Sequence, residues 1–133
     1  MFLAMSVVMI HYEALRLTSL SLTHLHIPPR QRILVVICAA FLAHLIEITL
    51  YAATYITLDK TLDLGTIGGL PATSFYDYFY FSMTAYTTLG IGDYYPVESL
   101  RLLTGMESLV GLMMITWTAS FTYLAMEKFW KMH

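Results

Sequence analysis

The residues richest in chemistry sit between two long apolar runs. Residues 84–96 read TAYTTLGIGDYYP: two adjacent threonines, glycines at 90 and 92 one residue apart, then an acid and a proline. Two hydroxyls and one carboxylate do not make a nucleophile and its base. Paired glycines leave the backbone, not the side chains, as the working part. A second set of reactive groups lies inside the apolar runs. His44 and Glu47 are three apart on one helical face, and Glu107 falls about two turns into the second run. An ionisable residue within a membrane span is a functional hypothesis by default. The readings, in order of preference, are a structural hydrogen bond, a proton sensor because histidine titrates near neutrality, and metal ligation. His-x-x-Glu with no second pair is a thin ligand set.

The elements that must position these groups follow from composition. The chain has 133 residues, 58% of them hydrophobic and 12% charged, with a net charge of −2. That is far from a soluble domain, and the charge gives no reason to expect nucleic acid. Cys38 is the single cysteine, so no internal disulfide forms. The solvent implied is lipid. Two stretches reach the roughly 20 apolar residues a crossing needs: an outer helix at 33–58 and an inner helix at 100–130. Arg30 and Arg32 precede the first, and Lys128 and Lys131 close the second. Both flanks are therefore cytoplasmic, and everything between faces outward. Asp59, Asp63, Asp77, Asp93 and Glu98 outnumber Lys60 and Arg101 there, and such an excess concentrates cations.

Residues 1–27 form a membrane-associated helix ended by Pro28-Pro29. It lacks the basic start and cleavage site of a signal peptide. Glu13 and Arg16 sit at its middle, so it either crosses as a third span or lies in the inner interface. His11, His24 and His26 read as interfacial. Residues 59–72 carry Gly65, Gly68-Gly69 and Pro71 and read as an extracellular turret loop. Residues 73–87 form a helix capped by Thr73-Ser74 and rich in Tyr and Phe. It is too short to span. A short helix that stops at TLGIGD and turns back is a re-entrant loop, and irregular backbone at that depth must be buried in protein or line water.

Thr88-Leu89-Gly90-Ile91-Gly92-Asp93 resembles the T-V-G-Y-G-D signature of potassium-channel selectivity filters. The likeness extends from about residue 33 to 130, within a pore module assigned to residues 28–133: outer helix 33–58, turret 59–72, pore helix 73–87, filter 88–93 and inner helix 100–130. The resemblance implies an all-α membrane protein, not an enzyme, in which filter carbonyls replace the hydration shell of potassium. Thr88 adds a hydroxyl ring at the inner end, and Thr87 supports the filter from behind. The family's pairing of a pore-helix aromatic with the filter aspartate falls here on Tyr80 and Asp93. One filter strand cannot surround an ion, so three identical subunits complete a homotetramer. Potassium ions and lipid are the remaining partners, with no other cofactor, and the setting is a bacterial inner membrane with a cytoplasmic C-terminus.

Ile91 departs from the family pattern, which has Tyr or Phe there. It still supplies a carbonyl but no hydrogen bond to the pore helices, which leaves weak selectivity among monovalent cations as the alternative. His44, Glu47 and Glu107 are expected as one buried polar cluster behind the filter, bonding Tyr86, Thr84 or Tyr80 and supplying that missing support. A metal-binding or proton-relay protein built on the same three residues is the reading from a different class. By resemblance Gly111 lies where the inner helix hinges, and Gly105 permits close packing near the pore helix. Thr116 and Ser120 fall on a polar stripe expected to line a wet cavity, although Thr118 and Thr122 offer a competing face. No helix carries the periodic arginines of a voltage sensor, and no ligand-binding domain is expected after Lys131.

Overall fold

The computed structural model describes residues 1–130; Lys131, one of the basic residues cited above, lies outside them. Helix α1, Phe2–His24, runs without Gly or Pro until Leu25 turns extended ahead of Pro28-Pro29. Helix α2, Pro29–Ile56, starts with proline at its first turn, where a missing N–H costs nothing. It begins ahead of the expected outer helix and gives way, just before that helix's expected end, to a π-helical segment, Thr57–Thr61, that runs into residues 59–61 of the expected turret loop. Helix α3, Phe75–Tyr86, is the short aromatic helix, and α4, Leu100–Trp130, is the inner one. Among the described residues, α2 with its π turn and α4 are long and apolar enough to cross a bilayer, with mean hydropathies of 2.5 and 1.5.

Helix α1 lies antiparallel along α2 rather than across it. Leu22 shares a core with Val36 and Ala125 at one end, and Val7 shares another with Ile48 and Tyr51. His11 bonds Glu47 between them. At about 1.5 Å per residue, α1 accompanies α2 for most of its length. Glu13 and Arg16 point outward and pair with each other at 2.8 Å. The Arg32 guanidinium sits 5.2 Å from the Phe129 ring centre and donates to the Leu25 carbonyl. That contact brings the start of α2, the end of α1 and the end of α4 to one pole of the molecule.

The opposite pole holds a feature the sequence reading placed in an unpaired loop. Strand β1, Ile67–Gly69, pairs antiparallel with β2, Tyr94–Pro96, in the register Ile67 to Pro96 and Gly69 to Tyr94. The pairing requires glycine. A Cβ on Gly69 would lie 2.1 Å from the Asp93 carbonyl oxygen, and its φ of +102° excludes other residues in any case. Three-residue strands carry too little periodicity to be read in advance. Their effect is topological. The chain leaves β1, descends through α3 and residues 87–93, and returns to the same level in β2, so α3 is re-entrant by construction.

The start of α3 is fixed by its own acid. One Asp77 carboxylate oxygen accepts the backbone N–H groups of Ser74 at 2.8 Å and Thr73 at 2.9 Å, with the Ser74 hydroxyl at 3.0 Å. Those bonds, the Ser74 amide foremost, pull the carboxyl down from 3.8 to about 2. A depressed carboxyl stabilises the fold above its unfolded pKa and loses that contribution as pH falls through the folded value. Asp77→Asn should therefore lower the thermal midpoint in detergent at neutral pH. Its deficit should close as pH drops from about 4 to about 2, which a melting series over that range will check.

Candidate functional site

Residues 88–92 adopt an alternating backbone. Thr88, Gly90 and Gly92 have φ of +59°, +52° and +92°, and the residues between them do not enter the left-handed region. In an extended strand successive carbonyls point to opposite sides; alternating handedness turns them to one side. Glycine allows this at 90 and 92 because it has no Cβ to clash, and a Cβ built at either position meets no atom within 4 Å. It is the dihedral, not crowding, that demands glycine. Thr88 adopts the same hand without that freedom, which nothing in its residue type announced. Behind the turn, the Gly90 amide bonds the Thr84 carbonyl at 3.1 Å and the Thr88 amide bonds Ala85 at 3.0 Å. The last carbonyls of α3 are thus tied to the segment they precede, and the negative end of the helix dipole lies at Thr87 and Thr88. The Thr87 hydroxyl bonds back to Met83 at 2.7 Å.

Asp93 closes the segment. Its carboxylate accepts the Tyr94 amide at 3.0 Å, and its carbonyl accepts the Leu70 amide across the β pair. The Tyr80 hydroxyl faces it, and the Tyr80 ring meets Tyr94 edge-on at 5.9 Å. The Tyr94 hydroxyl in turn donates to Asp77. Leu89 and Ile91 are 64% and 59% exposed; neither is held by its own chain.

The single polar cluster anticipated behind the filter is two clusters. Glu107, fully buried, accepts Ser82 at 2.5 Å and Tyr55 at 2.5 Å, and Ser82 also reaches the Ile48 carbonyl. His44 and Glu47 belong elsewhere, in a set completed by a residue first read as interfacial. His11 is 0% exposed, and its Nδ1 lies 2.9 Å from Glu47 Oε1. Glu47 Oε2 accepts the Tyr86 hydroxyl, which also lies 2.9 Å from His44 Nδ1. Thr118 Oγ1 stands 3.0 Å from His44 Nε2 and 3.1 Å from His11 Nε2. His11, His44 and Glu47 bring one ligand-type atom each within 4.8 Å of the others. All of those atoms are taken up by hydrogen-bond partners, so a metal would have to displace them. Tyr51, also buried, lies between the two sets with its hydroxyl unpartnered among the described residues. Of the expected partners of the carboxylates, Tyr86 is met, whereas Thr84 bonds back to Phe81.

Helix α4 settles which glycine is tight and which threonine faces in. Gly105, expected to pack near the pore helix, has open space where its Cβ would be. Gly111, expected as a hinge, is the close contact: a Cβ there would lie 2.1 Å from the Tyr86 carbonyl oxygen. The helix runs unbroken through it, and packing against the end of α3 accounts for the glycine. Thr116 and Ser120 are exposed and bond back to Leu112 and Thr116 of their own helix. Thr118 takes the inward face.

The family model described as "Ion channel" matches residues 32–128. The chain belongs to that family, and its fold is that of an all-α membrane channel. No curated protein and no solved structure matches it.

The Gly111 contact yields a stability prediction. Gly111→Ala forces α4 away from the end of α3, and overpacking of this kind costs about 1–3 kcal/mol. A lowered thermal midpoint, despite alanine's higher helix propensity, is the expected result; an unchanged or raised midpoint would show the contact to be slack.

Proposed function

We propose that the chain is one subunit of a homotetrameric channel that passes potassium through a ring of backbone carbonyls contributed by residues 88–92. The observation that carries this reading is the alternation of positive φ at 88, 90 and 92, which suits a carbonyl ladder replacing an ion's hydration shell. Cations are favoured over anions by the negative end of α3 beneath the ladder and by Asp59, Asp63, Asp93 and Glu98 around the β pair. Tyr80 and Asp93 act together at the outer end, and Thr87 steadies the inner end. A single strand encloses nothing. Leu89, Ile91, Leu102, Leu109 and Met113 are exposed in the isolated subunit and suit contact with three further copies and with lipid.

The basic pole formed by Arg32 and Lys128 faces the cytoplasm in this reading, and the β pair and filter face outside. Helix α1, parallel to α2 in axis and opposite in direction, crosses as a third span with its N-terminus outside. Thr116 and Ser120 lie toward the shared cavity. A bacterial inner membrane is the proposed setting. A second reading rests on Ile91. It is unsupported by its own chain and lacks a hydrogen-bonding group, so the pore is a weakly selective monovalent cation channel.

Liposomes holding the purified protein, with potassium on one side and sodium on the other, separate these readings. Reversal near the potassium equilibrium potential supports the first, and reversal near zero with real current supports the second. Gly90→Ala places a methyl at a φ of +52° on the open side of the strand. It should abolish current while costing only about 1–2 kcal/mol of stability. Full conductance in that variant would rule out a carbonyl-lined path at this position.

A further inference from the structure

The five side chains His44, Thr118, His11, Glu47 and Tyr86 form a closed ring. Its contacts run His44 Nε2 to Thr118, Thr118 to His11 Nε2, His11 Nδ1 to Glu47 Oε1, Glu47 Oε2 to the Tyr86 hydroxyl, and that hydroxyl to His44 Nδ1. Every contact pairs two atoms that each carry a lone pair, so each contact needs one proton: five in all. The groups in their ordinary states supply four. Each neutral imidazole has one, Thr118 and Tyr86 have one each, and ionised Glu47 has none. One contact is then left with two lone pairs facing each other, and the ring carries a buried negative charge. The count does not depend on which ring nitrogen is protonated.

One added proton completes the ring. Placed on His44, it lets Nδ1–H donate to Tyr86, Tyr86 donate to Glu47 and Nε2–H donate to Thr118. Thr118 then donates to His11, and His11 donates to Glu47. Placed on His11, it is accommodated equally, with Thr118 reversing its donor direction. The buried net charge falls to zero, which an apolar surround strongly favours. We infer that this ring is a binding site for a single proton, shared among its members as one coupled unit. The charged and titratable groups around it are few. They are Tyr12 beside Trp117 on α1 and α4, Tyr51 on α2 and Glu107 on α4; Trp117 also covers His11 at 5.5 Å.

The ring draws one residue from α1, two from α2 and one from each of α3 and α4. The α3 member, Tyr86, is the last residue of that helix, and its carbonyl packs on Gly111. The protonated ring clamps the end of α3 directly before Thr87 and Thr88. Loss of the proton leaves one of the five contacts unfilled, which weakens the hold on Tyr86 and loosens the turn that follows. This coupling rests on the channel reading above; the proton site itself does not.

Glu47→Gln is the decisive variant, because the amide brings its own N–H. The amide oxygen accepts from His11 and the amide N–H donates to Tyr86. Tyr86 then donates to His44, His44 to Thr118 and Thr118 to His11, so the ring closes with both imidazoles neutral. The measurement is imidazole 15N NMR of the full chain in lipid, titrated between about pH 5 and 8, beside potassium flux in liposomes. In the wild type the signals of His11 and His44, assigned apart from those of the other three histidines, should together report one proton taken up in a single step, and in Glu47→Gln these two should report none. Flux should fall about tenfold as pH rises through the step in the wild type and stay level in Glu47→Gln. Unchanging His11 and His44 signals in the wild type overturn the site, as does a step at these two that survives in Glu47→Gln or one bound zinc per chain by elemental analysis. A proton step with flux that stays level upholds the site and overturns the coupling, whereas no flux at any pH overturns the channel reading and the coupling with it.

Discussion

A twelve-residue helix that ends within a membrane leaves its last carbonyls to be satisfied by something other than lipid. Most of the architecture answers that constraint. The carbonyls of Thr84 and Ala85 take the amides of Gly90 and Thr88, and Ser108 reaches across from α4 to share Ala85 at 2.8 Å. Tyr86 presses its carbonyl into the notch left by Gly111. The same bonds that satisfy the helix end fold residues 87–90 back on it, so the termination of α3 and the shape of the proposed filter have one cause. The β pair above does the rest by fixing where the returning chain must emerge.

Two buried carboxylates hold α3 from behind, and they do so from different helices. Ser82 and Tyr86 lie four apart, on one face; Ser82 bonds Glu107 of α4, and Tyr86 bonds Glu47 of α2. Burying a carboxylate costs several kcal/mol before its partners compensate, and hydrogen bonds between membrane helices return about 0.6–2 kcal/mol each. Such an arrangement is a poor source of stability. It is a good source of register, because a helix shifted by one residue would cost each acid its α3 partner, Ser82 for Glu107 and Tyr86 for Glu47. Position, rather than strength, is what a filter requires of its pore helix.

The re-entrant helix was legible because it depends on length and on where helix breakers stand, both local properties. So were the glycines at 90 and 92. What escaped the sequence depended on register between distant elements. Nothing near His11 shows that it meets Glu47, 36 residues away; only the antiparallel lie of α1 on α2 does. Glu107 and Glu47 were expected in one cluster, but they come from different helices, and the rotations of α4 and α2 decide which side of α3 each acid reaches. The rotation of α4 also puts Gly111 rather than Gly105 against the end of α3 and brings Thr118 to the two histidines. A polar stripe on an apolar helix says that a face is special without saying what it faces.

The subunit taken alone is inverted relative to a water-soluble domain. Its polar side chains His11, Glu47, Ser82 and Glu107 are wholly enclosed, while Leu89, Ile91 and much of α4 lie open. That inversion bears on Ile91 directly. An aromatic residue at this place could brace the filter sideways through a hydroxyl or ring N–H; isoleucine cannot. In this chain the bracing groups lie at the base of the filter, where Tyr86 and Ser82 anchor α3 to two acids, and at its outer end, where Asp93 joins Tyr94 and the β pair. The middle of the proposed filter, where Leu89 and Ile91 lie open, has no brace from its own chain. In the reading proposed above, a filter fixed at both ends and soft between them takes its control at the base, where a change in the hold on Tyr86 reaches Thr88 within two residues.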